Sequence, residues 1–257
     1  MTPQQQFIAF KTIVIREFLR FIRIWLQTVL PPVITTALYF IIFGKLIGSQ
    51  IGAMAGYSYM DYITPGLIMM AIITNSYANV VSSFFGTKFH HNIEEMLISP
   101  VPGYVILLGF VAGGLARGMV VGLAVSITAS FFADIQLHSL SITLGIAVMT
   151  SLVFALGGFI NGIYARSFDD ISIIPTFVLT PLTYLGGIFY SIDMLPAFWQ
   201  QVSHCNPILY MINGFRYGLL GVSDIDIMLS FGMTLAFILG LYWYALRLLR
   251  IGHGIRS

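Results

Sequence analysis

The chain has 257 residues, 58% of them hydrophobic and only 9% charged, with 12 Lys+Arg against 10 Asp+Glu. A soluble domain carries about 25% charged residues, so these side chains cannot cover a water-facing surface, and a net charge of +2 gives no footing for a nucleic-acid partner. The single cysteine, Cys205, excludes an internal disulfide and a cysteine cage for metal.

The composition is that of an all-α polytopic membrane protein, and 1–257 reads as a single transmembrane domain. No cleavable leader is expected, because MTPQQQ runs straight into a charged amphipathic stretch. That stretch, 6–23, is the first predicted element. Phe7, Phe10, Val14, Phe18, Phe21 and Trp25 recur every three or four residues, and Thr12, Arg16, Arg20, Arg23 and Gln27 hold the opposite face. The pattern predicts a basic amphipathic helix lying in the membrane interface, its arginines toward anionic headgroups or a soluble partner.

Six apolar stretches follow, each long enough for a hydrocarbon core of ~30 Å. They run about Trp25 to Ile47, Tyr62 to Phe85, Val105 to Phe132, Ser139 to Tyr164, Ile171 to Tyr190 and Ile227 to Leu249. Pro31 and Pro32 should kink the first. The second carries Asn75, Asn79, Ser82 and Ser83. The third carries Gly114, Gly118 and Gly122, and the fourth Ser151, Ala155, Gly158 and Gly162. Small residues at this spacing let helices approach closely. Arg117 lies within the third span. An arginine in lipid is costly and marks a polar site facing protein or water, but the sequence names no partner for it.

The loop at 87–100, TKFHHNIEEMLISP, predicts a short surface helix. His90/Glu94 and His91/Glu95 are spaced i,i+4, and Pro100 stops the helix. A zinc reading of those pairs lacks a third ligand and the H-E-x-x-H order. Orientation follows from the basic residues. Lys11, Arg16, Arg20, Arg23, Lys88, Arg166, Arg247, Arg250 and Arg256 fall on one side if there are six spans, which places both termini in the cytoplasm. Making 207–222 a seventh span would carry the last arginines across. The segment 195–222 is therefore expected as a re-entrant element on the outer side, dipping in and returning. Within it, Arg216 reads either as a pin tying the hairpin to its own protomer or as a contact for an anionic group leaving the path.

There is no G-x-x-x-x-G-K-[ST] phosphate loop and no nucleophile elbow. The chain is thus not expected to be an enzyme or to bind a cofactor of its own. All ten acids read as lying at span ends or in loops, which weakens the reading of another class, an ATP-independent channel or secondary transporter.

The stretch from Leu179 to Arg216 resembles the signature of permease subunits of ABC-2 type transporters. The matching residues are Leu179, Leu182, Leu185-Gly186, Ile188, Leu195-Pro196, Pro207-Ile208, Tyr210 and Arg216. The resemblance extends over the whole chain and is strongest to bacterial inner-membrane permeases, through RIWLQTVLPPVITTALYFIIFG, NIEEMLISPVP and SFDDISIIPTFVLTPLTYLGGIFYS. It implies a homodimer of the permease in the bacterial inner membrane, surrounded by membrane lipid. Two copies of a separate ATP-binding subunit would dock beneath it and hold ATP and Mg. Asn92, Ile93, Glu94, Glu95, Met96 and Leu97 would form the ATPase-coupling helix, with Arg16, Arg20 and Arg23 of the N-terminal helix beside it. Spans one, two and five would line the path, which makes Asn75, Asn79, Thr180 and Thr183 candidates for its wall. The exported substrate would be an amphiphile of the drug, lipid or glycan class.

Overall fold

The computed structural model describes residues 1–47, 52–90 and 92–252, apart from the side chains of Lys45, Leu46, Ile47, Glu94, Glu95 and Leu97. His91, Arg256 and the Glu94, Glu95 and Leu97 side chains, singled out above, therefore lie outside the described residues.

Helix α1 (Pro3–Arg23) starts on a capping box. Thr2 Oγ1 accepts from the Gln5 amide at 3.4 Å, Gln5 Oε1 accepts from the Thr2 amide at 2.9 Å, and Pro3 opens the first turn. A break at Ile24 (φ −112°, ψ 27°) separates it from α2 (Trp25–Tyr39), which holds Pro31 and Pro32 and widens into π-turns over Phe40–Ile47. The prolines remove the amide donors that would reach the carbonyls of Gln27 and Thr28, four residues before them. A two-stranded hairpin (β1, Ala53–Met54; β2, Tyr57–Ser58) then leads into α3 (Tyr59–Phe89), capped by Ser58 through the Asp61 amide.

The rest of the chain continues with α4 (Asn92–Ile98), α5 (Gly103–Ala129) and α6 (Leu140–Tyr164). Next come α7 (Asp170–Ile174), π-turns over Pro175–Leu179, and α8 (Thr180–Leu185). A helical hairpin of α9 (Ala197–His204) and α10 (Pro207–Leu220) precedes the last helix, α11 (Ile227–Ile251).

Among the described residues, five helical segments are long and apolar enough to cross a membrane: Trp25–Gly44, Tyr59–Phe89, Gly103–Ala129, Leu140–Tyr164 and Ile227–Ile251. The expected fifth span, Ile171 to Tyr190, is shorter than expected. Its continuous helix covers Asp170–Leu185, about 24 Å at 1.5 Å per residue. It stops at Gly186-Gly187, where Gly187 takes φ +76°, a conformation that costs a glycine nothing.

Helix α3 is the axis of the bundle and packs most extensively on α6 and α5. Small residues permit the approach. A Cβ on Gly118 would overlap the Ser76 and Ser151 hydroxyls, which bond each other across the helices at 2.7 Å, and a Cβ on Gly158 would strike the Tyr77 carbonyl. Large apolar side chains such as Leu123, Ile127, Phe177, Met228 and Trp243 stay exposed on the outside, as lipid-facing positions require.

Two buried arginine clusters and an open helix face

The first cluster lies on the side where the hairpin packs. Helix α10 runs antiparallel to α6, with Gly214 against Ile146 and Gly218 against Thr143. All of its residues except Pro207 and Tyr217 are buried. Asn206 caps it by accepting the Ile208 amide at 3.0 Å and donates from Nδ2 to the Leu182 carbonyl at 2.6 Å. Tyr210 donates to the His204 carbonyl at 2.8 Å, closing the hairpin, and Gln200 donates to the Leu195 carbonyl at 2.8 Å beside Pro196, the N-cap of α9. Leu195, Pro196, Pro207 and Tyr210 are thus residues that shape the turn.

Arg216 is fully buried at the centre of this cluster. Its Nη2 donates to the Gly187 carbonyl at 2.5 Å and its Nη1 to Asn213 Oδ1 at 3.2 Å. The guanidinium sits over the Tyr62 ring at 4.2 Å, and Asp224 lies 4.0 Å away. Asp224 also accepts from the Ile192 amide at 3.2 Å and the Tyr62 hydroxyl at 3.4 Å. Burial pushes the Arg216 pKa down, and Tyr62 and Asp224 oppose that shift. One side chain therefore joins α3, the end of α8, α10 and the lead into α11.

The second cluster lies where α1 rests along α5. Tyr104 donates to Gln6 at 2.6 Å, and Cβ atoms on Gly109 and Gly113 would collide with Ile13 and Glu17. Glu17 is fully buried. It accepts from Ser83 on α3 at 2.7 Å and stands 3.5 Å from Arg16 Nη2 and 3.4 Å from Arg20 Nε. Arg16 also donates to Thr87 at 3.0 Å. Arg20 Nη2 donates to the Asn79 carbonyl and to Asn79 Oδ1, both at 2.9 Å. One step deeper, Arg117 Nη2 donates to Asn75 Oδ1 at 3.2 Å.

In this packing α1 presents Arg16, Glu17 and Arg20 to protein and leaves Phe7, Ile8, Phe18, Leu19 and Ile22 exposed. An amphipathic helix beside lipid does this when its polar face finds partners inside. Arg16 and Arg20 accordingly turn onto α3, while Arg23 remains exposed.

Between the clusters α3 keeps one open face. It is the most buried of the long helices, yet Met70, Thr74, Ala78, Ser82 and Gly86 are partly or fully uncovered at four-residue spacing. Asn79, Ser83 and Thr87, bonded to α1, form one edge of this strip. Phe85 and Phe89 form the other, each ring 5.0 Å from Phe168. Of the four positions expected along a path, Asn75, Asn79 and Thr183 are buried and only Thr180 is exposed. Each asparagine sits one residue beyond an uncovered position and so points about 100° away from it.

Helix α4 is held by one face. Ile93 is buried in the core beneath α3 and α5, Met96 packs on that core, and Asn92 and Ile98 are exposed. Close by, a cleft of about 440 Å³ opens between the start of α5 and the end of α11, lined by Pro102, Tyr104, Leu246 and Arg250 among others.

Glu17, Asp224 and Tyr62 are the members of these clusters that sequence reading missed. Glu17 had one visible signal, since it shares the line Ile13–Glu17–Phe21 that packs inward. Lys88, read only as an orientation marker, donates to the Ile163 and Ala165 carbonyls at 2.6 and 2.7 Å and so caps the end of α6.

A bundle of long apolar helices joined through buried polar clusters is the fold of an all-α polytopic membrane protein. Residues 8–220 match the family model of the ABC-2 type transporter, and the chain belongs to that family as a transmembrane subunit of an ABC transporter. It is similar to the inner membrane transport permease YadH of Escherichia coli strain K12, at 56% identity over 250 residues, covering 97% of this chain and 98% of the relative. YadH of Shigella flexneri matches equally, at 56% identity over 250 residues. Nodulation protein J of Neorhizobium galegae is 24% identical over 236 residues, covering 91% of this chain and 90% of that protein.

Proposed function

We propose that the chain is the permease of an ATP-driven exporter in the bacterial inner membrane, working as a homodimer over two copies of a separate ATP-binding subunit. Both termini and α4 face the cytoplasm, Asp170–Leu185 completes a sixth, shortened crossing, and α9–α10 is the re-entrant element on the outer side. The observation that carries this reading is the uncovered strip Met70–Thr74–Ala78–Ser82–Gly86 on the helix that otherwise forms the bundle's axis. Polar and small residues at mid-helix facing out of the protomer suit a path walled by two copies.

In this reading Thr74, Ser82 and Thr180 line the path. Asn75, Asn79 and Thr183 act one layer behind it. Helix α4, anchored by Ile93, enters a groove of the ATPase, and ATP with Mg is bound there and not by this chain. The substrate is an amphiphile moved outward along the strip.

The test is to purify the chain with its ATPase in lipid nanodiscs and compare the native pair with Glu94→Lys/Glu95→Lys. Lower substrate-stimulated ATP hydrolysis, with assembly retained, is the expected result. Normal coupling in the double variant rejects α4 as the coupling element. Ion-gradient-driven transport by the chain alone would favour an ATP-independent carrier.

A further inference from the structure

Helix α1 carries Arg16, Arg20 and Arg23 at i, i+4 and i+7, one ladder rising about 10 Å. It starts beside Thr87 near the Phe89 end of α3 and reaches Asn79. Arg117 continues it inward. That residue lies one position from the midpoint of α5 (Gly103–Ala129) and bonds Asn75 at 3.2 Å, in the middle of α3.

The charges at this depth do not balance. Glu17 is the only carboxylate paired with any of these arginines among the described residues, and it serves both Arg16 and Arg20. Arg117 has no carboxylate partner there, and Arg20 and Arg117 repel each other. The Nε of Arg117 and the Nδ2 of Asn79 are buried without a hydrogen-bond acceptor, while the Arg20 Nε faces the equally unbonded Glu17 Oε2 at 3.4 Å. Two donors thus stand unused where Arg16, Arg20 and Arg117 face the single carboxylate of Glu17, an excess of two positive charges. The other nine acids of the chain lie elsewhere. Asp61, Asp134, Asp193, Asp224 and Asp226 lie toward the hairpin side, Glu94 and Glu95 belong to α4, and Asp169 and Asp170 start α7. Among the described residues no further carboxylate of the chain supplies the missing negative charge.

The site is neither sealed nor water-like. The Arg20 side chain is 31% exposed and Arg16 47%, on the edge of the open face of α3. Exposed Leu19, Ile22, Val120 and Leu123 flank it on α1 and α5. A charged group carrying an apolar chain satisfies both surroundings at once, and guanidinium groups answer phosphate oxygens with paired donors.

We propose that Arg20 and Arg117, with Asn79, bind the anionic headgroup of a lipid-like substrate as it enters the path, Arg16 and Arg23 forming the basic approach. This rests on the exporter reading for the word substrate, but the binding site stands on the charge imbalance alone.

The experiment measures thermal stabilisation of the purified permease in uncharged detergent by dioctanoyl-phosphatidylglycerol, dioctanoyl-phosphatidylcholine and inorganic phosphate. The expected result is at least tenfold tighter apparent binding of the phosphatidylglycerol than of the phosphatidylcholine. That preference should be lost in Arg117→Gln and Arg20→Gln, partly kept in Arg117→Lys, and unchanged in Lys11→Gln, a basic residue on α1 outside the cluster. Equal binding of the two lipids, or a preference surviving Arg117→Gln and Arg20→Gln, overturns the site. Displacement of the lipid by an equal concentration of inorganic phosphate overturns the amphiphile assignment in favour of a free-anion site. No ATPase is needed for the measurement, so failure of the exporter reading would appear separately, as absent ATPase coupling with the lipid preference intact.

Discussion

The two arginine clusters solve the same problem in opposite ways. Arg216 is wholly enclosed, and its charge is answered by a carbonyl, an amide oxygen, a ring face and Asp224 from four separate parts of the chain. Arg20 and Arg117 are held mainly by the side chains and backbone of one helix, α3, with Glu17 shared between Arg20 and Arg16 and no carboxylate on Arg117 among the described residues. A charge enclosed with a carboxylate, a carbonyl and a ring face from its own protomer fixes geometry, even though the Arg216 Nε makes no hydrogen bond. A charge left in excess at the edge of an open face is a place where something else binds. The comparison divides the molecule into a rigid hairpin side and a receptive α1 side.

That division is sharpest at Arg216. Arg216→Met strips the partners of a buried charge and leaves Asp224 and the Gly187 carbonyl unanswered, so a loss of about 3–5 kcal/mol is expected. The protein should be recovered poorly from membranes and unfold at a much lower temperature in detergent. Asp224→Asn, at the longer 4.0 Å contact, should cost less, about 1–2 kcal/mol. If Arg117→Gln proves as damaging as Arg216→Met, the two clusters are equally structural and the division fails.

Glu17→Gln comes next. It removes the only carboxylate between Arg16 and Arg20 while keeping the shape and a hydrogen-bonding oxygen for Ser83. About 2 kcal/mol is expected, in the range for hydrogen bonds to charged groups. The loss should be local: amide hydrogen exchange in α1 should accelerate while α10 is unchanged. Uniform acceleration in both would show that α1 is not a separable layer.

Gly118→Ala probes the seam behind the open face. The added methyl overlaps the Ser76–Ser151 pair, and overpacking of this kind costs about 1–3 kcal/mol. Ser76→Ala in the same chain should recover part of that loss, because the two residues share the contact.

The sequence was legible where one physical rule acts alone. Long apolar runs set the spans, and the ends of α3, α5, α6 and α11 fall within a few residues of those expected. Glycine spacing marked where α5 and α6 close on α3. The signature residues before Arg216 were visible as a pattern, and their hydrogen bonds give that pattern a reason. What could not be read was pairing between distant residues. Asn75 and Arg117 are 42 positions apart and Glu17 and Ser83 are 66, and no local periodicity links them. Burial of Glu17 was hidden for a second reason. Beside lipid, the polar face of a helix can be the inner one, so amphipathicity shows that two faces exist without saying which packs. The early end of the Asp170–Leu185 helix was hidden too, since hydropathy runs on through Gly186-Gly187, where Gly187 takes φ +76° and its carbonyl accepts from Arg216.

The smallest expected effect lies outside both clusters and sets the baseline against which they are judged. Asp170 accepts from the Arg166 and Ser167 amides at 2.8 and 3.1 Å, and those bonds hold its carboxyl below the ordinary value. A depressed folded-state pKa means the ordering is complete above the unfolded value of about 3.9. It is lost as pH falls through the lower, folded value. Between pH 8 and pH 5 the turn before α7 should therefore not change. Below pH 4 the Arg166 and Ser167 amides should exchange faster relative to their intrinsic rates, and Asp170→Asn should show the same looseness already at pH 7. An exposed turn of this kind should leave the unfolding temperature almost unmoved. If Asp170→Asn instead lowered it as far as Glu17→Gln does, burial would not be what separates the carboxylates of this protein. The weight given to the enclosed Glu17, and to the arginines it only partly neutralises, would then have to be reduced.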